Sequence, residues 1–238
     1  MKDIKKQCYD LYMSAFNDDE EFTKLLFNIG FENSCYYLLE EKRVVSMLFA
    51  FDVYLNGFKG KYVYGVATDR DFRGKGYMRR LFSALEKNLD NSYKFLCLRP
   101  MNEQLFEFYD KLNFVKKFYK KDLSFIDGKI NFKGERINDT NLFCEVRNSL
   151  LGENSVRYGE DFIKLLLSYC DVLTDSYANP GFLVVKEKES GKIKEVLGNM
   201  NLILNDYTFT ENNEFCYAVY KSLEYNFEGK GYLGLAMD

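Results

Sequence analysis

Ile4, Cys8, Leu11, Tyr12 and Ala15 recur at helical spacing, so the chain opens on an amphipathic helix. A second helix is expected from Asp18, whose pairing with Glu21 gives a D-x-x-E variant of the capping box, and it should stop at Gly30. The pattern then changes. CYYLLE (Cys35 to Glu40) and VVSMLFAFDVYL (Val44 to Leu55) are rich in aromatic and β-branched residues and are separated by a short charged turn, which predicts a hairpin. Asn56 and Gly57 mark another turn, and KYVYGVAT (Lys61 to Thr68) follows as a strand. Met78, Leu81, Phe82, Leu85 and Leu89 form the apolar stripe of a helix from about Gly76 to Leu89. A buried strand, YKFLCLR (Tyr93 to Arg99), precedes Pro100, after which Leu105, Phe108, Tyr109 and Leu112 mark a helix that Asn113 is suited to cap. The helix between two strands fits a crossover joining parallel neighbours, so this part reads as a layered α/β domain.

The second half predicts a strand at Lys121 to Phe125, a helix after Asn138, Asp139 and Thr140, and another from Gly159 to Cys170. A hairpin over Phe182 to Met200 should turn at Ser190 and Gly191, with strands at Asn201 to Leu204 and Phe215 to Tyr220. Two helices followed by a hairpin echo the opening of the chain. The expected division is a first domain over 1–118 and a smaller α+β domain over 119–238.

Composition narrows the chemistry. The chain has 238 residues and no His, so a Ser/His/Asp triad, a Cys/His dyad, an imidazole base and a His-ligated zinc are all excluded. The six cysteines are far apart with no CxxC pair, in a chain large enough to fold without bridges, and are expected to be reduced. The N-terminus lacks signal-peptide organisation and the apolar run VVSMLFAF stops at Asp52, so a cytoplasmic protein without membrane partner is expected. The net charge of −3 does not suggest a nucleic-acid partner. That total conceals an asymmetry, because residues 1–120 carry 20 basic and 17 acidic groups while 121–238 carry 13 and 19. The surplus of the first part equals that of one segment, DRDFRGKGYMRR (Asp69 to Arg80), where five cations face two acids.

That segment lies between a strand and a helix. Gly74 and Gly76 allow a ligand to approach the main chain, and the helix that follows presents unpaired N–H groups and the positive end of its dipole, which suits a pyrophosphate. A solvated basic turn capping an ordinary helix is the simpler alternative. A Walker A loop fails, since Gly76 follows Lys75 where Ser or Thr is needed and the leading Gly is missing at Asp69. A dinucleotide fingerprint starting at Gly74 fails at Arg79.

The strand KYVYGVAT, the loop FRGKGYM, the helix MRRLFSALEKNL, the strand KFLCLR and the segment NEQLFEFYDKLNF together resemble motifs A and B of the GNAT acetyltransferases, over most of residues 3–118. The resemblance implies a mixed, largely antiparallel sheet flanked by helices, and acetyl-CoA as co-substrate. It implies that the amides of Arg73, Gly74, Lys75, Gly76, Tyr77 and Met78 hold the pyrophosphate, while main-chain groups of Val66, Ala67 and Thr68 hold the pantetheine arm. Asp71 stands where the family has Gln or Arg, and Met78 where it often has Gly or Ala. Asn102 and Tyr109 match positions that in the family contact the cofactor arm and protonate the departing thiolate. On periodicity alone Tyr109 reads first as a core aromatic, and Asn102 is alternatively a helix cap.

No acid stands where the family often carries its base, since that stretch reads Gly60, Lys61 and Tyr62. Water, a carboxylate of the first two helices or one of the second half remain as routes for the amine's proton. Glu20 and Glu21 are expected to be helix-start charges, and Cys97 a packing residue. FEGKGYL (Phe227 to Leu233) repeats the loop FRGKGYM close to the end of the chain, where too few residues follow for a phosphate-binding helix; a terminal strand or turn left from duplication is expected. The resemblance therefore implies direct acetyl transfer to a primary amine, small molecule or peptide, in a ternary complex, and is compatible with a homodimer. The alternatives are a non-catalytic acyl-CoA-binding sensor or interaction module, and a nucleotide-binding protein unrelated to CoA.

Overall fold

A computed structural model describes residues 4–125, 134–199 and 209–235. The first half runs α1 (Ile4–Phe16), α2 (Glu20–Ser34), β1 (Cys35–Glu40), β2 (Arg43–Leu55), β3 (Phe58–Thr68), a 3-10 turn (Arg70–Phe72), α3 (Tyr77–Asn88), β4 (Tyr93–Leu98), α4 (Glu103–Asp110) and β5 (Val115–Phe125). The second half has β6 (Glu135–Arg136), α5 (Thr140–Leu150), β7 (Arg157–Tyr158), α6 (Glu160–Tyr169), β8 (Cys170–Thr174), β9 (Phe182–Glu187), β10 (Ile193–Gly198) and β11 (Phe209–Ser222). The expected strand at 201–204 lies outside the described residues. Asn113 has φ +65°, the left-handed conformation anticipated for the cap of α4.

Two local expectations are corrected. Asp19, not Asp18, caps α2, its side chain accepting from the Phe22 N–H at 2.8 Å. Asp18 instead accepts from the Tyr12 hydroxyl. The helix also continues past Gly30 to Ser34, because that glycine lets α2 approach the sheet: a Cβ there would lie 3.1 Å from Phe51. Tertiary packing holds the helix together where propensity would end it.

The main sheet has the order β1-β2-β3-β4-β11-β5, with β7 paired to the far edge of β2. Among the described strands only β3 and β4 pair in parallel, joined by the α3 crossover, and their sheet is otherwise antiparallel. The two faces carry separate cores. Leu81, Phe82 and Leu85 of α3 and Tyr109 of α4 pack on one face against Leu48, Val63, Leu96 and Leu98. Cys8, Leu11 and Tyr12 of α1 and Leu26 and Phe27 of α2 cover the other, against Met47, Phe49 and Phe51.

The expected boundary between 118 and 119 is not a structural one. β5 runs through it, and β11 returns from near the end of the chain to lie between β4 and β5. Residues between those two strands contribute a second antiparallel sheet, β10-β9-β8-β6, so the smaller α+β part is inserted within the first fold. The parts share a core. Phe162 of α6 stacks on Tyr158 at 4.1 Å and meets Phe51 and Tyr62 of the main sheet edge-on at 5.7 and 5.6 Å. Burying a side chain of this size stabilises the fold by about 1.5–3 kcal/mol relative to leaving it exposed.

A buried ion pair fixes the insertion. Arg147 of α5 forms a two-pronged contact with Glu195 of β10, at 2.8 and 2.9 Å, and Tyr232 donates to the same carboxylate at 3.0 Å. The last described segment thereby becomes a strap across both parts: Gly231 bridges to Phe118 and Tyr232 to Ser155, and the N–H groups of Leu233 and Gly234 donate to the Tyr217 hydroxyl at 2.9 and 2.8 Å. The six cysteines are free thiols, and among the described residues no helix is long and apolar enough to cross a membrane.

Candidate active site

The parallel pair β3 and β4 comes apart. Its last matched residues are Val63 and Leu98, yet β3 continues to Thr68 while β4 stops. Over this extension β3 is paired to β2 on one side only, with Met47 opposite Ala67 and Ser46 opposite Thr68. The other edge faces the split, where a peptide-like chain can add as a further strand. A bulge accompanies the change of course. Four residues of β3, Tyr64 to Ala67, stand opposite three of β2, and Gly65 has φ +60°. A side chain there would also meet Tyr12 at 2.7 Å.

Beyond Thr68 the chain makes a tethered turn. Asp69 caps the 3-10 turn by accepting from the Asp71 N–H at 3.0 Å, and Arg43 pairs with the same Asp69 carboxylate at 2.5 Å. Arg73 Nε donates back to the Thr68 carbonyl at 3.1 Å, which holds its guanidinium over the end of β3. Gly74 and Gly76 follow with φ +73° and +80°, and a Cβ at either would meet nothing within 4 Å. The backbone requires glycine and the space above it is open. Gly76 is the N-cap of α3 and supplies no capping side chain, so the first-turn amides face outward with the positive helix end behind them.

A groove of about 680 Å³ unites these features. Val66, Ala67, Thr68, Arg73, Gly74, Gly76, Tyr77, Met78 and Asn102 all line it, joined by Ala15 and Phe16 from α1 and by Phe108 from α4. Lys75 lies outside the lining, its ammonium 5.1 Å from the centre of the Phe72 ring. Tyr77 turns its hydroxyl away to donate to Glu40 at 2.8 Å, so its offering to the loop is the amide. Asn102 caps α4 by accepting from the Leu105 N–H at 3.0 Å while also reaching the groove, which joins the two readings of that residue.

Tyr109 is not among the lining residues. Its ring is 4% exposed and packs edge-on against Phe82 and Phe114 at 5.9 and 5.6 Å. Burial pushes the phenol above its usual pKa, so it stays protonated at neutral pH. Cys97 is fully buried with its thiol likewise held protonated, which fits packing. Glu20 pairs with Lys24 on the surface of α2 as a helix-start charge.

Sequence reasoning missed a second cavity on the opposite face of the sheet. It is about 80 Å³ in volume and is lined by Asp18, Asp19 and Phe22, by Tyr169 of α6, and by Glu187 and Lys194 of the second sheet. The turn between α1 and α2 separates it from the groove. Hydrophobic periodicity carries no trace of this cavity, because its walls come from both halves of the chain.

Residues 2–115 match the family model described as an acetyltransferase (GNAT) domain. No curated protein gives a significant sequence match. Among solved structures, a candidate acetyltransferase from Pyrococcus horikoshii is similar at TM-score 0.67 and 14% identity, the alignment covering 98% of this chain and 92% of that one. Eis1 from Mycobacterium abscessus aligns at TM-score 0.64 and 6% identity over 92% of this chain and 71% of its own. A GCN5-related N-acetyltransferase from Kribbella flavida aligns at TM-score 0.63 and 12% identity over 92% and 69%. At such identities the likeness is one of fold, and it extends through the inserted second sheet. The strand split, the glycine turn at the head of α3 and the family match over the same residues agree, so residues 2–115 carry an acetyltransferase domain of the GNAT kind.

Proposed function

We propose that the protein transfers an acetyl group from acetyl-CoA to a primary amine by direct attack within a ternary complex. The observation that supports this best is the unpaired edge of β3 from Val66 to Thr68, continuous with the open glycine turn at Gly74 and Gly76. A pyrophosphate suits the turn, with the α3 amides and the Arg73 guanidinium as donors. A pantetheine arm, which carries two amides, suits the strand edge. Asp71 leaves this recognition intact, since its replacement of Gln or Arg removes no main-chain donor.

The arm would lead the thioester from the turn toward the apex of the split. Attack by a neutral amine forms a tetrahedral oxyanion, whose collapse breaks the C–S bond and releases a thiolate. Tyr109, neutral and on the α3/α4 face, is the proposed proton donor to that sulfur. The insertion's helix pair and antiparallel strands repeat the element order of the opening of the chain, which supports its origin as a degraded second copy.

Calorimetry with CoA, followed by free-thiol release from acetyl-CoA across a panel of amines, tests the reading. Tyr109→Phe is expected to lower kcat by about 100-fold or more, the usual worth of a positioned acid, with CoA affinity unchanged. CoA binding without transfer to any amine would favour a sensor instead, and protection by ATP but not by CoA would overturn both.

A further inference from the structure

β3 carries no carboxylate near the apex of the split, but it carries Tyr64, the first residue past the last β3–β4 pair. The Tyr64 hydroxyl lies 3.0 Å from that of Tyr12, and Tyr12 donates to Asp18 Oδ2 at 2.5 Å. A phenol has one proton. Since Tyr12 gives its own to Asp18, its oxygen accepts from Tyr64, and the chain of hydrogen bonds points from the apex to the carboxylate. Tyr12 is wholly buried on α1, while Asp18 lines the second cavity, on the far side of the sheet from α3 and α4. The bulge at Gly65 makes room for this contact, because any side chain there would collide with the Tyr12 ring.

We infer that the acceptor amine gives up its proton through Tyr64 and Tyr12 to Asp18, a relay that takes the place of a carboxylate on the strand; this rests on the acetyl-transfer reading above. The ammonium gives one proton to Tyr64 Oη as Tyr64 passes its own to Tyr12 and Tyr12 passes its own to Asp18. The freed nitrogen lone pair forms the C–N bond and the C–S bond then breaks. The thiolate takes the Tyr109 proton, the nitrogen's second proton returns to Tyr109, and Asp18 releases the first proton to solvent. One proton is released per amide formed.

Burial is the largest cause that holds both phenols above the usual tyrosine range, so neither collects as phenolate and each exchanges a proton instead. Asp19 at the head of α2, Tyr169 of α6, Cys170 of β8 and the ion pair between Glu187 of β9 and Lys194 of β10 also face the cavity at Asp18. Tyr12 and Tyr64 pack with the α1/α2 core and Tyr109 with the α3/α4 core, so the relay and the acid stand on opposite faces of the sheet.

The test is the pH profile of kcat/KM with acetyl-CoA and spermidine or a lysine-containing peptide. Asp18→Asn and Tyr64→Phe are expected to lower kcat/KM about 100-fold at neutral pH, with the KM for acetyl-CoA unchanged. The loss should shrink to a few fold near pH 10, where the amine sheds its proton unaided. A loss of equal size at every pH marks a structural role and overturns the relay, as does an unchanged profile. A second readout does not need turnover. With 3-fluorotyrosine throughout and Tyr12→Phe and Tyr64→Phe to assign the signals, both fluorine resonances should move in Asp18→Asn. A Tyr64 resonance that does not respond to Asp18→Asn overturns the relay. Failure of CoA to bind overturns the acetyl-transfer reading, and the fluorine experiment distinguishes the two failures.

Discussion

FRGKGYM and FEGKGYL differ at two of seven positions, yet they end in opposite environments. The first, at 72–78, opens on empty space: Gly74 and Gly76 have no neighbour within 4 Å of a would-be Cβ, and a helix of 12 residues begins there. The second, at 227–233, is packed. A Cβ on Gly231 would lie 2.9 Å from both Phe118 and Phe227, Leu233 is fully buried, and Tyr232 donates to the carboxylate of the Arg147–Glu195 pair. In one copy glycine leaves the main chain open to solvent, and in the other it admits the protein's own aromatic rings. A glycine-rich string is a site only where the surrounding chain leaves it uncovered and sets a helix behind it.

Breaking the packing around the second copy should have the largest effect. Arg147→Ala strands the Glu195 carboxylate in the core and should cost about 3–5 kcal/mol of stability, read as a shift in denaturation midpoint. Gly231→Ala forces a methyl against two rings and should cost about 1–3 kcal/mol, with CoA affinity preserved. The matching change in the first copy sharpens the contrast. Gly76→Ala places a side chain on a left-handed residue at about 1–2 kcal/mol and lets a methyl intrude on the proposed phosphate site, so CoA affinity by calorimetry should fall more than the melting temperature. The smallest difference is between the two lysines. Lys75→Ala should weaken CoA binding in a salt-dependent way, whereas Lys230→Ala, which removes an exposed pair with Glu214, should leave both CoA affinity and melting temperature unchanged. Equal loss of CoA affinity from both lysine variants would erase the distinction between the copies.

Much of the first region was legible because its signals are local. The apolar stripe of α3, the β-branched run of β2 and the spacing from β3 through the glycines to α4 each depend on residues near one another, and the groove gathers nine of the ten donor-side positions read from them. Tyr109 shows the limit of this. Its spacing marks it as an inward-facing residue of α4, and only the packing of Phe82 and Phe114 decides that its ring is enclosed rather than lining the groove. Asp18 shows another limit, since a capping pattern one residue out of register assigned it to α2 when its partner is Tyr12.

The sequence by itself determined the helices, the strands other than β6, β7 and β8, the phosphate-suited turn and the absence of imidazole chemistry, because each follows from periodicity, turn residues or composition. Tertiary structure decided which strands are neighbours. Placing β11 between β4 and β5 depends on pairings of residues 84 to 127 positions apart, and no local pattern encodes the partner of a strand whose alternation suits several edges. That same long-range pairing carries the second half into the main sheet and leaves one of two near-identical glycine strings open while it packs the other as a strap.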